Sequence, residues 1–126
     1  MSVSGVHHIN VETRDMEKAI KFYNEILGLN VKFRKDLGDV EITFLDAGNT
    51  IIELFKENDK LNKTHIDGVI NHFALSVSDI ESVLENCRKK GVKVTTEITE
   101  ITLDGDIKYA FIEGPENERI ELFEYV

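Results

Sequence analysis

The chain consists of two similar halves, and this internal repeat limits its fold more than any other feature of the sequence. VHHINV at residues 6–11 aligns with INHFAL at residues 70–75, and Asp15 and Asp79 fall in the same register, 64 residues apart. The tetrapeptide IELF also occurs in both halves, at residues 52–55 and 120–123. Because these matches occur in the same order, they predict a duplicated structural module.

Each half predicts one helix and four strands in the order βαβββ. The opening strand alternates polar and apolar residues, a helix follows, and three β-type segments complete the module. The predicted later strands are residues 30–34, 41–46, 50–56, 92–95, 107–113 and 119–125. We therefore predict an α+β fold in a single domain spanning residues 1–126. Its parts are module 1 at about residues 5–57, a polar linker at about 58–68 and module 2 at about 69–126.

Both predicted helices have the same start and stop signals. Asp15 and Asp79 are expected N-cap residues, whose side-chain oxygens accept hydrogen bonds from free N–H groups at a helix start. Gly28 and Gly91 stand where C-cap glycines are expected. Apolar residues at helical spacing predict the buried faces, which are Met16, Ala19, Ile20, Tyr23 and Leu27 in the first helix and Ile80, Val83, Leu84 and Cys87 in the second.

Charge balance and the distribution of apolar residues exclude several classes of protein. The 126 residues include 24 Asp and Glu against 15 Lys and Arg, a formal net charge of −9. This balance disfavours nucleic acid, which proteins bind largely through Lys and Arg. No apolar run approaches the roughly 20 residues that span a bilayer. We expect a soluble cytoplasmic protein with no nucleic-acid or membrane partner, whose lone Cys87 is a buried structural thiol.

One histidine and one glutamate in each half share a strand face. Alternation places His8 and His72 opposite their apolar neighbours, and it places Glu53 and Glu121 opposite the flanking Ile and Leu residues. A carboxylate within an apolar strand is costly to bury unless it is paired or bound to a cation. Each side chain alone could be a hydrogen-bonded histidine or a solvated glutamate. Repetition at equivalent positions favours one His₂Glu₂ site suited to Zn²⁺, Ni²⁺, Co²⁺, Mn²⁺ or Fe²⁺.

The remaining histidines have weaker claims to a site. His7 lies on the strand phase of Ile9, which predicts a helix-facing or strand-end histidine. His65 lies in the polar linker, where a solvated side chain is expected. A phosphate-binding glycine loop, a nucleophile elbow and a Cys-x-x-Cys pair are all absent from the sequence.

The assembled motifs resemble those of the vicinal oxygen chelate superfamily, in which paired βαβββ modules form a cupped mixed β-sheet around a divalent metal. The resemblance covers nearly the whole chain, and the order His, Glu, His, Glu is most similar to glyoxalase I (lactoylglutathione lyase). The residues that carry it are HINV at 8–11, DMEKAIKFY at 15–23, LGL at 27–29, IEL at 52–54, HFAL at 72–75, DIE at 79–81, GPEN at 114–117 and IEL at 120–122.

This resemblance implies a metal site, a reaction and an assembly. The metal ligands would be His8, Glu53, His72 and Glu121, with Ni²⁺, Zn²⁺ or Co²⁺ as the expected cofactor and Mn²⁺ or Fe²⁺ as alternatives. Enzymes of this type bind a small hemithioacetal substrate and move a proton between adjacent carbons through an enediolate. Glu121 would be the catalytic base and Glu53 its partner on the opposite side. A homodimer is also implied, with the site formed either within one chain or across the dimer.

Other members of the superfamily provide alternative functions. A methylmalonyl-CoA epimerase shares the modules and the enolate chemistry, and Glu41 is the candidate for its proton-shuttling acid. A drug-binding resistance protein uses the modules without a metal, and an extradiol dioxygenase uses an iron site. The chain has Glu12 near the position where bacterial glyoxalase I commonly has an arginine that holds glutathione, with Arg14 out of register. Glu12 and the acidic net charge therefore favour a thiol other than glutathione.

Overall fold

The computed structural model describes residues 6–58, 70 and 72–126. The predicted linker beyond residue 58 lies outside the described residues, as does His65. The chain divides into two compact units, Met1–Thr64 (unit 1) and His65–Val126 (unit 2). That the two modules build one domain stays a prediction.

Both units contain the predicted elements in the predicted order. Unit 1 consists of β1 (His8–Glu12), α1 (Met16–Ile20) continuing into a π-helical segment (Lys21–Ile26), β2 (Asn30–Asp36), β3 (Val40–Asp46) and β4 (Ile51–Glu57). Unit 2 consists of β5 (Phe73–Ser76), α2 (Ile80–Lys89), β6 (Lys93–Thr102), β7 (Asp106–Glu113) and β8 (Arg119–Tyr125). The α+β fold class and the βαβββ order are thereby confirmed.

The two sheets have the same topology. The strand order is β1-β4-β3-β2 in unit 1 and β5-β8-β7-β6 in unit 2. In each sheet the opening strand pairs in parallel with the last strand of its module, and the other pairings are antiparallel. In unit 1 the strand that begins with His8 therefore lies beside the strand that carries Glu53. In unit 2 the strand that directly follows His72 lies beside the strand that carries Glu121.

The helix ends follow the predicted caps. Oδ1 of Asp15 accepts a hydrogen bond from the backbone N–H of Lys18 at 3.1 Å, and Oδ1 of Asp79 accepts one from Ser82 at 3.2 Å. Gly28 and Gly91 follow the helices with φ angles of +79° and +78°, which glycine adopts without steric cost. Both N-caps and both C-terminal glycines are confirmed. Within the described residues, no helix is long and apolar enough to cross a membrane.

The first helix buries a wider face than its α-helical spacing predicts. Met16, Ala19 and Tyr23 are buried as expected, but Phe22 is buried beside Tyr23, whereas Ile20 and Leu27 are only partly buried. The chain changes from α- to π-helical geometry at Lys21, and the wider turn rotates the positions that follow. In α2, Ile80, Leu84 and Cys87 are buried as predicted, and Val83 is half-buried.

Each helix covers one face of its own sheet. In unit 1 the Thr43 hydroxyl lies 3.3 Å from Sδ of Met16, so the strand phase of Thr43 and Leu45 faces α1. In unit 2 Nζ of Lys108 donates a hydrogen bond to Glu81 of α2 at 2.7 Å. Lys108 and Ala110 therefore lie on the face of the sheet that α2 covers. The opposite phase of each sheet is free of its helix, and the predicted glutamates lie on it.

The largest difference from the predicted strands is in β6. The sequence predicted residues 92–95, but the strand runs from Lys93 to Thr102. Its pairing with β7 shifts register between Val94 and Thr96 and again between Thr96 and Thr99. Burial still alternates from Lys93 to Thr99, but Lys, Thr and Glu occupy most of these positions, so the sequence lacks the apolar signal of a half-buried strand.

Candidate metal centre

In unit 1, His8 and Glu53 lie side by side on neighbouring parallel strands. His8 begins β1, and Glu53 lies in the middle of β4, where its register partner on β1 is Asn10. Nε2 of His8 is 3.3 Å from Oε1 of Glu53. The Glu53 side chain is 13% exposed and that of His8 is 40% exposed, so a mostly buried carboxylate meets a more accessible imidazole.

Unit 2 repeats this pair. His72 directly precedes β5, and Glu121 lies on β8 opposite Ala74 of β5. Nε2 of His72 is 3.2 Å from Oε1 of Glu121, and the side chains are 35% and 15% exposed. The distances and exposures are therefore close to those in unit 1. The structure pairs the predicted residues within each unit, one histidine with one glutamate.

The donor types of each pair suit a divalent metal ion, and each pair supplies two donors, since no group of three or more such side chains comes together within the described residues. Each pair offers one imidazole nitrogen and one carboxylate oxygen, which are ligands of Zn²⁺ and of Ni²⁺ or Co²⁺. Two such ligands, each about 2.1 Å from one cation at the tetrahedral angle, lie roughly 3.4 Å apart. The observed separations of 3.3 and 3.2 Å are close to this value, and the His72–Glu121 contact is also within hydrogen-bond distance.

An aromatic ring lies next to each pair, and neither ring was among the site residues predicted from the sequence. Phe44 is the antiparallel register partner of Glu53, and Phe111 is that of Glu121. The ring of His8 stacks on Phe44 with centroids 6.2 Å apart, and His72 meets Phe111 edge-on at 5.1 Å. The signal was present in the sequence, because both phenylalanines lie on the strand phase opposite their buried neighbours.

Asn10 is a second residue that the sequence analysis did not identify. Its Nδ2 donates a hydrogen bond to Oε1 of Glu53 at 3.0 Å. Asn10 lies two residues after His8 on β1 and therefore on the same strand phase. The sequence could have indicated Asn10, because it is a polar residue on the same face of the strand as the predicted ligand His8.

His7 lies closer to the site than predicted. It precedes β1 as a strand-end residue, but its Nδ1 is 3.0 Å from Nδ1 of His8. Its ring also meets His8 edge-on at a centroid distance of 5.2 Å and approaches Phe44 at 6.3 Å. The strand-end position agrees with the sequence, whereas the helix-facing alternative is wrong.

The other candidates lie away from these pairs. Glu41 shares the helix-facing phase of Thr43, and its Oε2 is 3.6 Å from Nζ of Lys56. Cys87 is fully buried in the apolar face of α2, and this burial raises the pKa of its thiol above 9.0. A raised thiol pKa is the opposite of what a nucleophile needs, so the structural role predicted for Cys87 agrees with its surroundings.

The comparisons with known proteins agree with this fold. The chain belongs to the Glyoxalase/Bleomycin resistance protein/Dioxygenase superfamily, whose family profile matches residues 5–122. It is 34% identical to the uncharacterized protein YwbC of Bacillus subtilis, over 94% of this chain and 96% of that protein. It is 33% identical to a probable lactoylglutathione lyase of Synechocystis, over 93% of this chain and 92% of the relative.

A solved structure is similar over nearly the whole chain. Glyoxalase I of Leishmania major has a TM-score of 0.81 and 26% sequence identity, and the match covers 97% of this chain and 87% of that chain. The resemblance to the superfamily that the motifs indicated is thereby confirmed.

Proposed function

We propose that this protein is a divalent-metal-dependent enzyme of the glyoxalase I type, which isomerises the adduct of a thiol and an α-carbonyl compound. The observation that carries the proposal is the repeated pair, with nitrogen and oxygen 3.3 Å apart in unit 1 and 3.2 Å apart in unit 2. A single pair would be an ordinary His–Glu contact. Its recurrence at equivalent positions, together with a relative named probable lactoylglutathione lyase, supports a shared catalytic use.

In this proposal the metal ligands are the side chains of His8, Glu53, His72 and Glu121. Their two nitrogens and two carboxylate oxygens suit Ni²⁺, Zn²⁺ or Co²⁺, with Mn²⁺ or Fe²⁺ also compatible with the set. When bound, such a cation supplies Lewis acidity toward the oxygens of the substrate.

Glu121 acts as the base. Its carboxylate removes the proton from the carbon that bears the sulfur and hydroxyl groups and delivers it to the adjacent carbonyl carbon. One C–H bond breaks, another forms, and the hydroxyl proton moves to the neighbouring oxygen. The hemithioacetal becomes a 2-hydroxy thioester with no atom gained or lost. Glu53 holds the opposite side of the site.

The surroundings of Glu121 support this role. The carboxylate is 15% exposed and stands across the ladder from the half-buried ring of Phe111. An apolar neighbour limits the water that reaches the carboxylate, and a less hydrated carboxylate is a more effective acceptor of a carbon-bound proton. His72 contacts both residues, with its Nε2 3.2 Å from Oε1 of Glu121 and its ring edge-on to Phe111.

The substrate is a small molecule, and its thiol part is one that lacks the net negative charge of glutathione. Glu12 lies on β1 in the strand phase of His8 and Asn10, where it adds a carboxylate to the face that bears the site. The net charge of −9 acts in the same direction. The thiol carrier differs among relatives, since the Leishmania major enzyme is described as trypanothione-dependent.

The proposal includes a homodimer. By resemblance to the superfamily, the His8–Glu53 pair of one chain is joined to the His72–Glu121 pair of a second chain. Each dimer would then hold two equivalent sites related by a two-fold axis.

One assay tests the proposed reaction. Purified protein is stripped of metal, loaded with Ni²⁺, Co²⁺ or Zn²⁺, and given methylglyoxal with a panel of low-molecular-weight thiols that differ in charge. We expect metal-dependent formation of a thioester, fastest with a neutral or cationic thiol. Methylmalonyl-CoA, catechols with oxygen uptake, and binding of bleomycin-type drugs are run in parallel. Activity or binding in one of these, without thioester formation, would replace the glyoxalase proposal.

A further inference from the structure

The two His–Glu pairs differ at one equivalent position. Asn10 pairs with Glu53 in the parallel register of β1 and β4, and Ala74 pairs with Glu121 in the same register of β5 and β8. The backbone arrangement is therefore the same on both sides. The side chain beside the glutamate changes from a carboxamide to a methyl group.

This difference decides how each carboxylate is held. Nδ2 of Asn10 donates to Oε1 of Glu53 at 3.0 Å, while Nε2 of His8 approaches the same oxygen at 3.3 Å. An ionised carboxylate only accepts hydrogen bonds, so the amide must present its NH₂ group to it. The methyl group of Ala74 has no donor to present to Glu121, which keeps the 3.2 Å contact of its Oε1 with Nε2 of His72 but gains no second contact of the Asn10 kind.

We propose that Asn10 is a positioning residue that fixes the orientation of Glu53 as a metal ligand, and that Glu121, beside Ala74 instead of an asparagine, keeps more freedom to turn as the base. The inference rests on the proposed function and deepens it. A ligand carboxylate that is hydrogen-bonded from outside the metal keeps its orientation. A base must instead turn between the carbon that loses the proton and the carbon that receives it. The two halves of the repeat thereby take different tasks.

Metal binding provides the first test, independent of turnover. Metal-free protein is titrated with Co²⁺, and the affinity is read by chelator competition and the coordination by the visible absorption of the ion. We expect Asn10→Ala to weaken Co²⁺ binding by roughly tenfold or more and to change the absorption band. Asn30→Ala, an exposed asparagine on β2 at the far edge of the same sheet, is the matched control and should bind as the wild type does.

The reciprocal variant provides the second test. Ala74→Asn gives Glu121 the donor that Glu53 already has, at an exposed position where the fold tolerates a polar side chain. We expect kcat to fall by roughly tenfold, with KM and Co²⁺ affinity unchanged or improved. Thermal unfolding in the presence of chelator verifies that each variant is folded. Because Ala74→Asn adds a group rather than removing one, it keeps the proposal testable even if Asn10→Ala is unstable.

The outcomes separate this inference from the proposed function. If the Asn10→Ala variant binds Co²⁺ with the same affinity and absorption spectrum as the Asn30→Ala control, the role proposed for Asn10 is overturned. An unchanged kcat in Ala74→Asn would overturn the freedom assigned to Glu121. If instead the wild type binds no Co²⁺, or binds it as tightly after Glu53→Gln, the metal-dependent function itself fails.

Discussion

Phe111 lies directly across the antiparallel ladder from Glu121 and meets the ring of His72 edge-on at a centroid distance of 5.1 Å. The phenylalanine therefore contacts both members of the second pair. In unit 1, Phe44 likewise lies across the ladder from Glu53, and its ring stacks on that of His8 with centroids 6.2 Å apart. These rings form the wall against which each pair is held.

Replacing Phe111 tests this arrangement. Aromatic pairs contribute about 0.5–1.5 kcal/mol beyond their buried area, which corresponds to a change of roughly two- to tenfold. Phe111→Leu should lower kcat/KM by that factor, because His72 loses its edge contact and water reaches Glu121 more easily. Phe123→Leu is the control, since Phe123 lies on the same face of the sheet as Phe111 but its ring meets Tyr125 rather than His72. Equal losses in both variants would indicate general destabilisation instead.

The two glutamates should respond differently to loss of charge. Glu121→Gln should lower turnover by roughly 10²- to 10⁴-fold, the range for loss of a general base. Glu53→Gln should mainly weaken metal binding. Ni²⁺ stabilises the folded protein by an amount that rises with the logarithm of its affinity, so the rise in Tm at one Ni²⁺ concentration ranks the variants by binding. We expect this rise to be smaller in both variants and smallest in Glu53→Gln. A full Tm rise together with wild-type turnover in Glu121→Gln contradicts the enzymatic proposal.

Alternation along single strands was enough to locate the pairs. Glu53 lies between Ile52 and Leu54, so a strand with period 2 must turn it away from the buried side. The same reasoning applies to Glu121. The hairpin of β3 and β4 also has a short turn, which sets the register that places Phe44 opposite Glu53. Phe44 could therefore have been predicted from the strands already assigned.

Contacts between distant strands could not be found in this way. Asn10 and Glu53 meet only because β1 pairs in parallel with β4, and no local turn fixes that register. Likewise, the burial of Phe22 beside Tyr23 depends on a π-helical turn that α-helical spacing does not indicate. Both features depend on how the elements of the module pack together. Strand alternation and helical periodicity describe single elements and do not predict that packing.

Burial of Cys87 makes a prediction about alkaline pH. The thiol pKa is raised by desolvation, so the unfolded chain loses this proton at a lower pH than the folded chain. The resulting stability is fully present below the ordinary thiol pKa of 9.0 and is lost as the pH rises from there through the raised value. The urea midpoint of the wild type should therefore fall more steeply between about pH 8 and pH 10 than that of Cys87→Ala.

The control for this prediction is thiol reactivity. Because Cys87 is fully buried, a thiol reagent at pH 7 should modify it only as fast as the protein opens, and quickly in denaturant. If Cys87→Ala and the wild type lose stability in parallel as the pH rises, titration of this thiol makes no contribution.

Mixing two inactive variants tests how the pairs are shared between chains. His8→Ala damages the first pair, and His72→Ala damages the second. If each site joins the first pair of one chain to the second pair of another, a mixed dimer contains one site with both defects and one intact site. After unfolding and refolding together, an equal mixture should recover about a quarter of wild-type activity, because half of the dimers are mixed and each has one of two sites intact. Refolding each variant alone provides the baseline. If both pairs of a site come from one chain, every site keeps a defect, and the mixture stays at that baseline whatever its oligomeric state.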